Sequence, residues 1–236
     1  MRNFRKISLL VILFIFISSC KKKQTELEFE KSVMTEIFPS LVDSICVDSR
    51  IMLPPPMLGE YATDKTGHVS EDSTKATEEQ IFTYRKWEKK REEVKKDTAS
   101  IIIAFNPFLK KNESELNQKL KEYYPKAKIA QTSENELNKF RFDFEKIKLN
   151  NKFKLKNISE FPKVGENLVL LYELKYDFVF SGILYFSRIQ FDKMKQVGVL
   201  NGSFSFCGKC GRGFNIYIKN VNNKWVINKV EATWMS

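Results

Sequence analysis

The feature that most constrains this chain is a change of rhythm along it. Ahead of residue 125 three stretches, near 27–45, 77–96 and 113–124, carry apolar side chains at helical spacing; from Leu168 onward they follow the alternation of strands separated by turn residues. Leu168 to Leu174 reads as one strand and Ile183 to Phe191 as the next. Gln196 to Leu200, with an extension to Phe206, follows, then Phe214 to Lys219 and Lys224 to Trp234. The last four predict an antiparallel meander. In the final segment Trp225 and Ile227 share one parity whereas Val230, Ala232 and Trp234 share the other, so a bulge near Asn228-Lys229 is needed to keep both sets inside.

The first half supplies the other layer. Leu27, Met34, Ile37, Phe38, Leu41 and Ile45 form the stripe of an amphipathic helix, with Pro39 expected to kink it or start a new turn. Pro54-Pro55-Pro56 and the polar stretch to residue 76 predict a long exposed loop, 54–76, that contains His68. A second helix is expected over 77–96, with Ile81, Tyr84, Trp87 and Val94 as a thin apolar stripe. The run Ala99 to Phe105 is apolar on both parities and predicts a central strand covered on both faces. Asn112 and Glu115 have capping-box spacing for a short helix near 113–124; Ser133 and Glu136 repeat that signal ahead of the alternating Phe140, Phe142 and Phe144. The expected class is α+β, N-terminal helices packed on a mainly antiparallel C-terminal meander. The expected organisation is a helical region 26–98 followed by an α+β domain 99–236.

The extreme N-terminus carries an address. Arg2, Arg5 and Lys6 precede an apolar stretch from Ile7 to Ile17, and Ser18-Ser19-Cys20 closes it. The stretch is shorter than the roughly 20 residues of a membrane-crossing helix, so it reads as a secretory signal, residues 1–19. Its ending resembles the lipobox of bacterial lipoproteins. That resemblance implies lipidation of Cys20, a tether at 20–25 rich in lysine, and anchoring in a membrane through the N-terminal lipid. The expected location is the bacterial cell envelope outside the cytoplasm, at the outer membrane.

Composition narrows the function classes. A chain of 236 residues with 20 Phe, 8 Tyr and 3 Trp is neither disordered nor, with a single long apolar run, a membrane bundle. The formal charge is +11, and removing 1–19 takes away three basic and no acidic residues, leaving +8. The remaining charges are closely mixed, as in Glu88-Lys89-Lys90-Arg91-Glu92, which argues against a nucleic-acid partner.

Four cysteines are present, and Cys20 is assigned to the anchor. Cys207 and Cys210 stand in a glycine-rich connection between two expected strands. A thioredoxin-like site would want a helix N-terminus at this place, and a zinc site would need ligands beyond Cys46 and His68. The third reading, a disulfide or thiol pair of structural role, suits an oxidising compartment. Cys46 is odd in the count, either free or bonded to one of the pair. No Gly-x-Ser-x-Gly elbow and no phosphate-binding glycine loop is present. Glu78-Glu79, Glu92-Glu93 and Asp143/Glu145 are the carboxylate pairs a hydrolase could use, and they read better as solvated charge. The sequence therefore nominates no catalytic residue, metal site or cofactor.

Ser187-Arg188-Ile189 with Phe191, Cys207-Gly208, Cys210-Gly211 with Gly213, Lys224-Trp225 and the terminal Trp234-Met235-Ser236 together resemble the C-terminal module of uncharacterised, Bacteroidetes-type bacterial lipoproteins. The triproline and Phe38-Pro39 are similar to the N-terminal half of some members. The resemblance implies a related extracytoplasmic fold and no activity. The expectation from sequence is a membrane-anchored, non-catalytic binding or interaction module with an envelope partner. A thiol-redox or metal module at Cys207 and Cys210, or a carboxylate-based hydrolase, is the alternative.

Overall fold

The structure, a computed structural model, describes residues 24–129, 138–149, 152–162 and 171–236. Residues 1–23, where a leader, Cys20 and a lysine-rich tether are expected, and the Ser133/Glu136 signal lie outside the described residues. Among the described residues no helix is long and apolar enough to cross a membrane.

Helix α1 (Glu26–Ile45) starts at a full capping box, in which Thr25 accepts from the Glu28 N–H and the Glu28 carboxylate accepts from the Thr25 N–H. Its stripe of Val33, Met34, Ile37, Phe38, Leu41, Val42 and Ile45 is buried. The helix runs through Pro39 rather than restarting there. The carbonyl that loses its donor belongs to Thr35 on the exposed side, where water can serve it.

After a short 3-10 turn at Ser49–Ile51, the segment expected to be loop contains a hairpin, β1 (Glu60–Thr63) with β2 (Val69–Asp72). Strand propensity at Tyr61 and Val69 and the Asp64 turn suffice to pair the two ends: Asp64 Oδ1 accepts from the Thr66 and His68 N–H groups. Helix α2 (Glu78–Lys96) follows, with Val94 its one buried side chain.

The main sheet then assembles from β3 (Ile101–Phe105), β6 (Phe153–Asn157), β7 (Val179–Phe186), β8 (Gln190–Phe191), β9 (Val197–Cys207), β10 (Cys210–Val221) and β11 (Lys224–Met235). The path order is β11-β10-β9-β7-β3-β6, with β8 beside β9. Strands β7, β9, β10 and β11 pair antiparallel, as the meander requires, whereas β3 lies parallel to both β6 and β7. The sheet is thus mixed at one end. A side pair, β4 (Phe108–Lys110) with β5 (Lys139–Arg141), and helix α3 (Glu113–Tyr123) lie between β3 and β6 in sequence.

Several expectations are corrected locally. Residues 171–174 form a turn rather than the end of a strand, with Leu171 buried against β3 and β7. Residues 168–170 are outside the described set. Asn112 does not cap α3; its side chain is drawn away toward Asn201. Only 139–141 of the Phe140-Phe144 alternation is strand, though all three phenylalanines are buried. The β10–β11 register does shift at Asn228, which has no partner between Lys229 and Ile227. That bulge puts Ile227 and Val230 on the same core, but Ala232 and Trp234 end on the outside.

The sheet has two differently covered faces. On one, α1 lies over Leu184, Phe186, Leu200, Phe204, Ile216, Ile218 and Trp225, with Phe38 against Phe105, Phe142 and Phe186. A buried ion pair fastens this layer: Glu30 accepts from Arg188 (2.6 Å) and from the Ile189 N–H (2.8 Å). On the other face two separate clusters form. Leu116 and Leu120 of α3 cover Val199 and Tyr217, while Phe161 and Leu171 cover Ile102, Ala104 and Ile183. At Gly182, φ +151° and a β-bulge opposite β3 let Ser181 leave the ladder; it donates to the Val47 carbonyl and accepts from the Ser49 N–H, docking the chain that leaves α1.

Candidate functional site

Between those two clusters the sheet face stays uncovered and its side chains turn polar. Strand alternation carries Tyr185 and Ser187 at β7, Asn201 and Ser203 on β9, and Gly213 and Asn215 on β10 to this face, with Thr233 and Trp234 of β11 beside them. Asn106, Phe108, Lys110 and the start of α3 form the facing wall. The result is a cleft of ≈ 610 Å³, within the range of about 300–1,000 Å³ typical of small-molecule sites.

The floor is held by a chain of amides. Asn112 Nδ2 donates to Asn201 Oδ1 (2.9 Å) and to Glu115 (2.7 Å), and Asn201 Nδ2 donates to Asn215 Oδ1 (2.8 Å). The Asn201 N–H donates to Ser187 Oγ, whose proton goes to the Arg188 carbonyl. Ser187 is therefore occupied on both sides and is not poised as a nucleophile. Burial pushes the Tyr185 hydroxyl pKa up, so it stays protonated as a donor. Asn106 Oδ1 accepts from the Phe108 N–H, which fixes the loop that presents Phe108.

Two aromatic side chains flank this floor in the open. Trp234 is 50% exposed and Phe108 49%. Trp234 lies on the backbone of β10, because a Cβ on Gly213 would sit 2.0 Å from the indole nitrogen and one on Gly211 3.1 Å from the ring. The glycines after Cys210 thus give the tryptophan a flat seat.

The sequence-nominated residues are not gathered at the cleft. Cys20 lies outside the described residues. Cys207 and Cys210 are joined by a disulfide across the β9–β10 hairpin, Cα–Cα 4.8 Å. Cys46 is a free thiol in the main core, its pKa raised by burial and further by Asp43. His68 sits exposed in the β1–β2 turn. Glu78-Glu79 and Glu92-Glu93 are exposed on α2, and Glu145 pairs with Arg141 as Asp143 does with Lys146. Among the described residues no three His, Cys, Asp or Glu side chains converge as a metal-ligand set.

The cleft residues escaped sequence reading because they come from six elements, β4, α3, β7, β9, β10 and β11, and the loops beside them. One signal was available: Asn201-Gly202-Ser203 places polar side chains at strand positions whose parity neighbours, Val199 and Tyr217, are buried. The segments of the resemblance have structural roles as well. Ser187, Arg188 and Ile189 tie the sheet to the cleft floor and to α1, and Trp225 closes the end of the core against Phe29 and Phe191. Comparison of the chain with protein-family models, curated proteins and solved structures finds no match.

Proposed function

We propose that this protein is a lipid-anchored, extracytoplasmic binding module of the bacterial cell envelope that holds a ligand in the β9–β10 cleft without transforming it. The observation that carries the reading is the cleft: between two apolar clusters on one face, the sheet leaves a polar floor open, lined by tied amides and hydroxyls and flanked by exposed aromatic rings. No nucleophile–base pair is assembled on that floor from the described residues. The anchor rests on the N-terminal sequence, Arg2 to Cys20, and accords with a disulfide-bonded hairpin, which forms outside the reducing cytoplasm.

The test is full-length expression from its own leader in a Gram-negative host fed an alkyne fatty acid, followed by membrane fractionation. The expected outcome is a labelled protein in the envelope fraction and loss of both label and membrane association in Cys20→Ser. An unlabelled soluble protein would sink the anchored reading. The disulfide has a separate expected outcome. Replacing Cys207 and Cys210 together by Ser should lower stability by about 2 kcal/mol, the loop being short, and leave ligand capture in place; loss of capture with stability intact would favour a redox role.

A further inference from the structure

We propose that the cleft is a saccharide-binding site in which Trp234 is the stacking platform and the asparagine floor reads hydroxyl groups. This rests on the reading of the cleft as a binding site and names its ligand class. A pyranose ring has an apolar, slightly positive C–H face and a rim of hydroxyls that both donate and accept. It therefore needs an aromatic face, whose quadrupole is negative, next to a dense mixed set of amide and hydroxyl groups. The cleft supplies both. One face of Trp234 rests on the β10 backbone at Gly213, which orients the ring and leaves its other face to solvent at 50% exposure. Phe108 offers a second exposed ring on the opposite wall.

The polar groups are pre-positioned rather than loose. Asn112 commits its amide protons to Glu115 and Asn201, which leaves Oδ1 as an acceptor. Asn106 commits Oδ1 to the Phe108 N–H, which leaves its amide protons as donors. Ser203 and Thr233 add hydroxyls at the same cleft. Amides immobilised by neighbours lose little entropy when they meet a ligand. An acyl chain fits poorly, since it would cover these groups without satisfying them. A small anion fits poorly too, because Glu115 stands beside Lys110 and Lys111 on the same rim.

The probes are cellohexaose, maltohexaose, xylohexaose and chitohexaose, titrated into the full chain in detergent. Tryptophan fluorescence and saturation-transfer NMR report binding. At least one oligosaccharide should bind, and Trp234→Ala should weaken it by about tenfold or more, as loss of one stacking contact implies. Trp234→Phe should recover most of that affinity, and Trp87→Phe, on α2, should leave it unchanged. Failure of all four probes, or binding indifferent to Trp234→Ala in a variant with the wild-type unfolding midpoint, overturns the inference. Shortened oligosaccharides in the mixture would overturn the non-catalytic reading but leave saccharide recognition standing. Fatty-acid labelling at Cys20 is unaffected by either result, so the two proposals fail separately.

Discussion

The two faces of the main sheet are made by the same strands in alternation, yet one is sealed and the other is open at its middle. Under α1 the side chains are apolar from β7 across to β11, with the Glu30–Arg188 ion pair buried beside them. On the opposite face two small apolar clusters stop short of each other, and the gap holds Asn201, Ser203 and Thr233. Strand period alone would allow the second face to be as apolar as the first. Its polar break marks where folding stability was not the criterion for choosing side chains.

The sharpest way to break the contrast is on the sealed face. Phe38 is fully buried among Phe105, Phe142 and Phe186. Phe38→Ala should cost about 3–5 kcal/mol, read as a lowered urea midpoint at unchanged slope. Glu30→Gln comes next: it removes the negative charge from a pair whose side chains are only 7% and 4% exposed, and should cost about 3–5 kcal/mol at most. The double replacement Glu30→Leu with Arg188→Met should recover most of that loss in the same assay. If it does not, the pair organises the layer in a way packing cannot replace.

The open face should respond less. Asn201→Ala removes both links of the amide chain and leaves the buried Asn215 oxygen unpaired. The expected cost is about 1–3 kcal/mol, with weakened ligand capture. A loss as large as that of Phe38→Ala would mean that the floor is core and the contrast between faces is false.

Away from both faces, acid should act through Asp48. Burial works to raise the pKa of its carboxyl, but hydrogen bonds from Arg50 and Lys152 outweigh it and hold the group below the usual carboxylate range. Its contribution is therefore full above the unfolded-state pKa of about 3.9 and is lost as pH falls through the lower folded value. Wild type should be the more stable at pH 6, and its advantage over Asp48→Asn should shrink between pH 4 and pH 2, followed by the unfolding midpoint. A constant gap would show that geometry rather than charge fastens this turn.

Much of this frame was legible along the chain. The α1 stripe, the doubly covered β3 and the bulge at Asn228 follow from periodicity, because burial selects apolar side chains wherever an element meets a core. Pairing was less legible. That β3 runs parallel to β6 and β7, or that Tyr61 and Val69 belong to a hairpin, depends on which segments meet, and those partners are remote or weakly patterned. The cleft was almost illegible. Asn106, Asn112, Asn201 and Trp234 are spread over 129 positions, and each by itself resembles an ordinary turn, cap or strand-end residue.

Sequence by itself determined the α+β class, the rhythm of the meander and the nomination of Cys20, since these rest on local patterns of apolar, small and charged residues. Tertiary structure alone decided that the second face is covered in two pieces, and that Gly213 seats Trp234 beside a tied row of asparagines. Local propensity acts within a few residues of itself. A site made by the gap between two packed clusters exists only once both have docked.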